Sequence, residues 1–136
     1  MSSSAAQKSS PTSTKRATGV MSWDDYFMSL AWLTSMRSKD SSWKSGAVIV
    51  NQKNVVVGIG YNGYPSGCVD DVLVAAHADE PFGASEKKAL FQVHADINAC
   101  LNKNVESIEG CRLYCTSFPS NESAKVILQS GLSEVI

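Results

Sequence analysis

Two short segments of the chain hold the residues best suited to chemistry. His94 and Asp96 stand two residues apart. Ser120 and Ser123 stand three residues apart, directly after Pro119. A histidine can bind a metal or exchange a proton near neutral pH, and a carboxylate can act as a general acid or base. The two segments therefore mark one candidate site, provided that the fold brings them together.

The pattern of apolar and turn residues predicts a helix–sheet–helix sandwich. Ser22 is a suitable N-cap for a first helix that runs to about Ser38. A second helix follows His94, and a third runs from Ser120 to Ser130, where Gly131 ends it. Apolar runs rich in β-branched residues predict strands at 47–50, 55–60, 111–116 and 132–136. The order α-β-β-α-β-α-β indicates an α/β fold with a mixed central sheet.

Composition is that of an ordinary single domain. The 136 residues are 43% hydrophobic and 18% charged, and the net charge of -1 does not favour nucleic acid or a membrane surface. Residues 1–21 form a Ser/Thr-rich basic tail, which we expect to be disordered alone, and residues 22–136 form the domain. There is no apolar run near the ~20 residues of a membrane span and no visible signal peptide. We therefore expect an intracellular, most simply cytoplasmic, protein.

The cysteines are interpreted as core residues. None of them belongs to a C-x-x-C pair; they are Cys68, Cys100, Cys111 and Cys115. Thiols of an intracellular chain of this size stay reduced, and Cys111 and Cys115 share one face of a predicted strand. Cys115 lies on the strand that leads to Pro119, so it can approach the candidate site from its base.

Several segments carry a family resemblance when they are taken together and in order. They cover residues 37–40, 46–51, 57–63, 67–73, 94–99, 101–104 and 118–125. In this set and spacing the chain, from about Trp23 to Ile136, resembles the deoxycytidylate (dCMP) deaminase family of the cytidine deaminase superfamily. Zinc-dependent nucleobase deaminases carry H-x-E followed downstream by P-C-x-x-C. The resemblance implies a cytidine deaminase-like sandwich whose C-terminal strands are missing after Ile136.

The resemblance also implies roles for named residues. The family's zinc ligands fall on His94, Ser120 and Ser123, and its proton-shuttling Glu falls on Asp96. The family's nucleotide contacts fall on Arg37 for phosphate, Asn51 for sugar, and a loop that includes Tyr61, Asn62 and Gly63.

Three of these groups differ from the family's chemistry. Two Cys ligands would supply negative charge and soft sulfur, whereas serine hydroxyls are neutral near pH 7. Asp is one methylene, roughly 1.5 Å, shorter than Glu, and a general acid or base must lie within ~3 Å of its target. We therefore expect no cofactor, or zinc if the chain is active.

The substituted residues also have a purely structural interpretation, which we favour. Ser120 is a suitable N-cap, and Glu122 in the first turn suits the helix dipole. Ser123 then faces polar surroundings, and His94 becomes a hydrogen-bonded residue at the start of its helix.

Three functions remain open from the sequence. The first is a catalytically inactive dCMP deaminase-like domain that serves as a non-catalytic subunit or structural component. The second is an active zinc-dependent dCMP deaminase that converts dCMP to dUMP and ammonia. The third is a non-catalytic regulator that binds a deoxynucleotide. The family's hexamers imply a homo- or hetero-oligomer or a larger assembly, and we expect a partner to cover the C-terminal sheet edge.

Overall fold

Helices flank both faces of a four-stranded sheet in a computed structural model, which describes residues 17–68 and 90–136. Helix α1 spans Trp23–Ser35, α2 spans Ala95–Leu101 and α3 spans Asn121–Gln129. The strands are Gly46–Val50 (β1), Val56–Tyr61 (β2), Arg112–Cys115 (β3) and Glu134–Val135 (β4). The predicted element order and sandwich are confirmed. Residues 1–16 of the expected tail lie outside the described residues.

Strand β1 is the centre of the sheet, whose order is β2-β1-β3-β4. It runs antiparallel to β2 and β3, while β4 runs parallel to β3, so the sheet is mixed as expected. All five residues of β1 are buried, which explains its nearly continuous apolar sequence. This register places the start of β1 beside the ends of β2 and β3. The three loops that meet there form one edge of the domain.

The sheet separates two apolar cores. On the α1 face, Phe27 packs with Tyr114 at a ring-centroid distance of 5.3 Å, among Ala31, Val48 and Val50. The opposite core joins the sheet to α2 and α3 through residues that include Ala47, Ile49, Ala99, Leu113 and Ile127. No helix in the described ranges is long and apolar enough to cross a membrane.

Glycine lets α2 lie directly on β2. A Cβ added at Gly60 would stand 2.3 Å from the Ala95 carbonyl oxygen and 2.3 Å from the Ala99 nitrogen. The helix backbone therefore occupies the space that any side chain at residue 60 would need. This close approach fixes where α2 begins, and with it the position of His94 and Asp96.

Substitution of Gly60 tests this contact. We expect Gly60→Ala to destabilise the protein by at least ~2 kcal/mol, because the clash is with helix backbone rather than a movable side chain. Gly63→Ala is the matched control, since a Cβ there would meet no atom within 4 Å. Urea unfolding of both variants measures the difference. Equal midpoints for the two variants would contradict the tight packing of α2 on β2.

Candidate functional site

A pocket of about 270 Å³ opens at the edge where β1 begins and β2 and β3 end. The starts of α2 and α3 also reach this edge, because Gly60 holds α2 on β2 and Ser120 follows β3 after a short loop. The pocket is lined by Asp40, Ser42, Trp43, Ser45, Asn62, Gln92, His94, Ala95, Asp96, Cys115, Ser117, Phe118 and Ser120. The two segments singled out in the sequence therefore meet in one place.

His94 stands at the N-cap of α2 with an extended backbone, at φ -68° and ψ 152°. The preceding residue is fixed by a β-bridge, in which Val93 and Gly63 exchange backbone hydrogen bonds of 2.8 and 3.2 Å. The imidazole is exposed, and it makes no capping hydrogen bond with the described residues. His94 thus begins the helix as expected, and its backbone carbonyl accepts the Asn98 N–H at 2.9 Å; a hydrogen bond of its side chain stays a prediction.

Ser120 caps α3 as its sequence predicts. Its hydroxyl oxygen accepts the Ser123 backbone N–H at 3.2 Å, which satisfies one of the free donors of the first turn. The Ser120 hydroxyl also donates to Ser123 Oγ at 3.1 Å. The cap and the next residue on the same helix face are thus directly linked.

Ser123 then connects α3 to α2. Its hydroxyl donates to Asp96 Oδ1 at 2.8 Å, and the Ile97 backbone N–H donates to the same oxygen at 2.8 Å. Ser123 is fully buried and Asp96 is 5% exposed. The three substituted positions therefore form one hydrogen-bonded chain, which runs from half-buried Ser120 through buried Ser123 to Asp96. The polar surroundings expected for Ser123 are the Asp96 carboxylate and the Ser120 hydroxyl.

A second polar cluster forms the opposite wall of the pocket. Asn62 Oδ1 accepts the Ser45 backbone N–H at 2.8 Å, and Asn62 Nδ2 donates to the Trp43 carbonyl at 2.9 Å and to Gln92 Oε1 at 3.4 Å. Gln92 Nε2 donates to Asp40 Oδ2 at 2.6 Å. Asp40 Oδ1 accepts the backbone N–H groups of residues 42 and 43. These bonds join three separate loops and shape the pocket.

The site predictions did not include Gln92, Asp40 or the aromatic residues at the pocket mouth. Trp43 is 64% exposed and Phe118 is 98% exposed, although both line the pocket. Asp40 and Phe118 lie within the segments that carry the family resemblance, so the resemblance could have identified them as site residues. Gln92, two residues before His94, has no such signal in the sequence.

The expected nucleotide-contacting residues do not gather here. Asn62 lines the pocket, and Gly63 supports it through the bridge to Val93. Asn51 lies at the far end of β1, roughly 20 Å from Ser45 at 3.3 Å per residue. Its side chain accepts the backbone N–H groups of residues 53 and 55 and so closes the β1–β2 turn.

The other two expected contacts lie away from the pocket. Arg37 is on an exposed turn after α1. Tyr61 pairs with Gly46 across strands β2 and β1, and residues paired in this way lie on the same face of the sheet. A Cβ added at Gly46 would approach Ala31 of α1. Tyr61 therefore lies on the α1 face. The structure does not bring Arg37 or Tyr61 to the pocket.

Comparison with known proteins identifies the family. A family model described as the cytidine and deoxycytidylate deaminase zinc-binding region matches residues 21–136. The chain belongs to the cytidine and deoxycytidylate deaminase family. It is similar to deoxycytidylate deaminase of Homo sapiens, with 45% identity over 127 residues that cover 93% of this chain and 70% of the human protein. It is also similar to a probable deoxycytidylate deaminase of Drosophila melanogaster, with 47% identity, covering 93% of this chain and 64% of that protein.

Solved structures agree with this fold. The dCMP deaminase of the cyanophage S-TIM5, in complex with dCMP and dUMP, is 30% identical, with a TM-score of 0.62 over 82% of this chain and 76% of that chain. RibD of Acinetobacter baumannii is 20% identical with a TM-score of 0.54, covering 83% of this chain and 27% of that chain. The second likeness shows the fold alone. The chain thus contains a dCMP deaminase-like domain of cytidine deaminase-like fold.

The described residues of this pocket do not supply the donors that zinc needs. Catalytic zinc sites use three His, Cys or carboxylate ligands, and the described residues contain no group of three such side chains that could hold a metal. Ser120 and Ser123 are neutral hydroxyls, and both are used in the hydrogen-bonded chain to Asp96. His94 is the one ordinary zinc ligand among the family's three ligand positions. The pocket residues in the described part of the chain therefore do not fit zinc.

The buried cysteines do not belong to any group of three possible metal ligands among the described residues. Burial, followed by the nearby Asp96 carboxylate, raises the pKa of the Cys115 thiol to about 11. The same two causes raise the pKa of Cys100, and burial raises the pKa of Cys111. Without a metal, Cys115 therefore lines the pocket as a neutral, small apolar group.

The raised Cys115 pKa has a measurable consequence for stability. The unfolded state ionises Cys115 near pH 9, whereas the folded state does so near pH 11, so the protonated thiol favours folding below pH 9. As pH rises from 9 to 11, we expect the free energy of unfolding of the wild type to fall by roughly 2 kcal/mol relative to that of Cys115→Ala. Urea unfolding of both proteins at pH 8, 9.5 and 11 measures this loss. A constant difference across that range would contradict the burial of a neutral thiol beside Asp96.

Proposed function

We propose that this dCMP deaminase-like domain is non-catalytic and acts by binding, as a subunit beside an active relative or as a structural component of a larger assembly. The observation that carries the proposal is the hydrogen-bonded chain from Ser120 through Ser123 to Asp96. It uses hydroxyls where the family reaction needs metal ligands, and it holds the carboxylate that would have to exchange protons. In zinc deaminases the metal activates the attacking water, and a conserved Glu acts as general acid and base.

Asp96 is poorly placed for proton exchange with a substrate. Its Oδ1 accepts two hydrogen bonds from protein groups, at residues 97 and 123. A carboxylate that these bonds hold in place, and that is one methylene shorter than Glu, cannot reach the substrate atoms with which it would exchange protons. Misplacement of a catalytic group by about 1 Å costs ~100-fold in rate. This loss adds to the missing metal-bound hydroxide.

The nucleotide-regulator alternative receives less support. Asn62 is the expected nucleotide contact that lines the pocket, and both ends of its amide already bond to protein groups. The pocket lining among the described residues includes two carboxylates, Asp40 and Asp96, and no lysine or arginine. Among these described lining residues, a phosphate group would find no lysine or arginine.

An assembly role is supported by the surface beside β4. The strand has two residues, and both are exposed. An apolar groove of about 430 Å³ lies against it, and we call this the edge groove. It is lined by Cys115, Thr116, Ser117, Phe118, Pro119, Ala124, Ile127, Leu128, Val135 and Ile136. Exposed strand edges and apolar patches favour pairing, either with another chain or with a further segment of the same protein.

The catalytic part of the proposal is tested with purified protein supplied with zinc. We expect less than about 0.1 zinc per chain by mass spectrometry, because one histidine and two neutral hydroxyls do not retain the ion. We also expect no conversion of dCMP to dUMP above background, with human deoxycytidylate deaminase as the positive control. Stoichiometric zinc, or dUMP formed in proportion to enzyme concentration, would overturn the non-catalytic assignment.

The assembly part is tested by light scattering. We expect a mass above the 14.6 kDa of one chain, either alone or with an active relative. Leu128→Glu should weaken this association at least tenfold, because Leu128 is a 77% exposed wall of the edge groove. Val55→Glu is the control, at a 53% exposed residue beside the opposite edge strand β2. A monomer in every mixture, or equal effects of the two variants, would exclude association through the edge groove.

A further inference from the structure

We propose that the outward side of α1 binds the same surface of a second copy of this chain, with the two helices antiparallel. The surface consists of Tyr26, Ser29, Trp32, Leu33 and Met36, all of them exposed, and we call it the outer face. Helices α1 and α3 pack on opposite faces of the sheet, so the outer face is separate from the edge groove. The proposal therefore goes beyond the proposed function and does not depend on the catalytic assignment.

Helix α1 is apolar on both of its sides. Phe27 and Ala31 are fully buried against the sheet. On the outer face Trp32 is 58% exposed, Leu33 is 67% exposed and Met36 is 66% exposed. A helix on a protein surface normally turns polar residues to solvent, and a helix that is apolar all round is normally covered. The composition of the outer face thus indicates a surface that binds a partner.

The spacing of the outer face suits a second helix. Positions 22, 26, 29, 33 and 36 follow one another in alternating steps of four and three residues, the repeat by which two α-helices pack along a shared seam. Ser29 lies at the middle of this row, where its small side chain lets the two helix axes approach to the lower end of the usual range of about 8–10 Å. A twofold axis beside Ser29 would then set Tyr26 of each copy against Leu33 of the other.

The charges at the two ends of α1 favour the antiparallel arrangement. Asp25 lies in the first turn, and the exposed Arg37 directly follows the helix. An antiparallel partner sets the acidic end of each helix beside the basic end of the other, whereas a parallel partner would set like charges together. The helix dipoles also oppose each other favourably in the antiparallel pair. A surface that carries its own complement in reverse order suits a twofold axis, so the occupant that these observations favour is a second copy.

Two matched leucine substitutions test the surface by sedimentation equilibrium. We expect the wild type to dimerise, and Leu33→Glu to raise the dimer dissociation constant at least about tenfold, because it would bury a charge between two apolar helices. Leu101→Glu is the control, since Leu101 is 69% exposed at the end of α2, and it should change the constant by less than about twofold. Equal effects of the two variants would overturn the proposal. A monomeric wild type whose outer face is covered by another segment of its own chain would also overturn it.

A third variant separates this surface from the edge groove. Leu128→Glu changes a residue of the edge groove, so it should leave the α1 dimer intact. The two associations can therefore fail separately.

Cysteine crosslinking tests the antiparallel register. In a Cys68→Ser background, which removes an exposed thiol, Ser29→Cys would face its own copy across the twofold axis, within the Cα separation of roughly 4–7 Å that a disulfide needs. In Met36→Cys the two new thiols would lie roughly 20 Å apart, at 1.5 Å of helix rise per residue. We therefore expect mild oxidation to give at least about fivefold more crosslinked dimer with Ser29→Cys than with Met36→Cys. Equal crosslinking of the two variants would overturn the antiparallel pair.

Discussion

The hydrogen bond from the Ser123 hydroxyl to the Asp96 carboxylate joins the first turns of α2 and α3 at the floor of the pocket. It is buried at both ends, so its loss would leave a desolvated charge with fewer donors. The remaining features of the site follow from it. Ser123 uses its hydroxyl to hold the Asp96 carboxylate. Ser120 caps α3 and donates a hydrogen bond to Ser123. The constraint is local, but it decides what chemistry the pocket can support.

The fold supplies the geometry that makes this bond possible. Gly60 allows α2 to rest on β2, and the fully buried strand β1 sets β2 and β3 beside each other with a fixed register. Both helices then begin at the same edge of the sheet. The same geometry is typical of zinc deaminases, in which free N–H groups at helix starts favour anionic ligands. In this chain those helix starts hold hydroxyls and a short acid, so the scaffold is retained while the ligand chemistry is different.

Much of the fold could be predicted from the sequence because its signals are local. Ser22 and Ser120 are N-caps as expected, and the apolar runs became strands within one or two residues of their predicted bounds for β1, β2 and β3. The Ser123–Asp96 bond could not be predicted, because it joins side chains 27 residues apart and depends on how two helices face each other. The sugar-contacting role expected for Asn51 stays a prediction, and the structure adds a local role. An Asn after a strand also suits a tight turn, and that local role uses its side chain.

The central claim is that Asp96 belongs to a hydrogen-bonded chain and not to a metal site. Crystals of the protein grown with excess zinc, with anomalous data collected at the zinc edge, test it most directly. The account predicts no anomalous peak between His94, Ser120 and Ser123, and a Ser123 Oγ to Asp96 Oδ1 distance close to 2.8 Å. A zinc peak within bonding distance of His94, with the Ser123 hydroxyl turned away from Asp96, would contradict it.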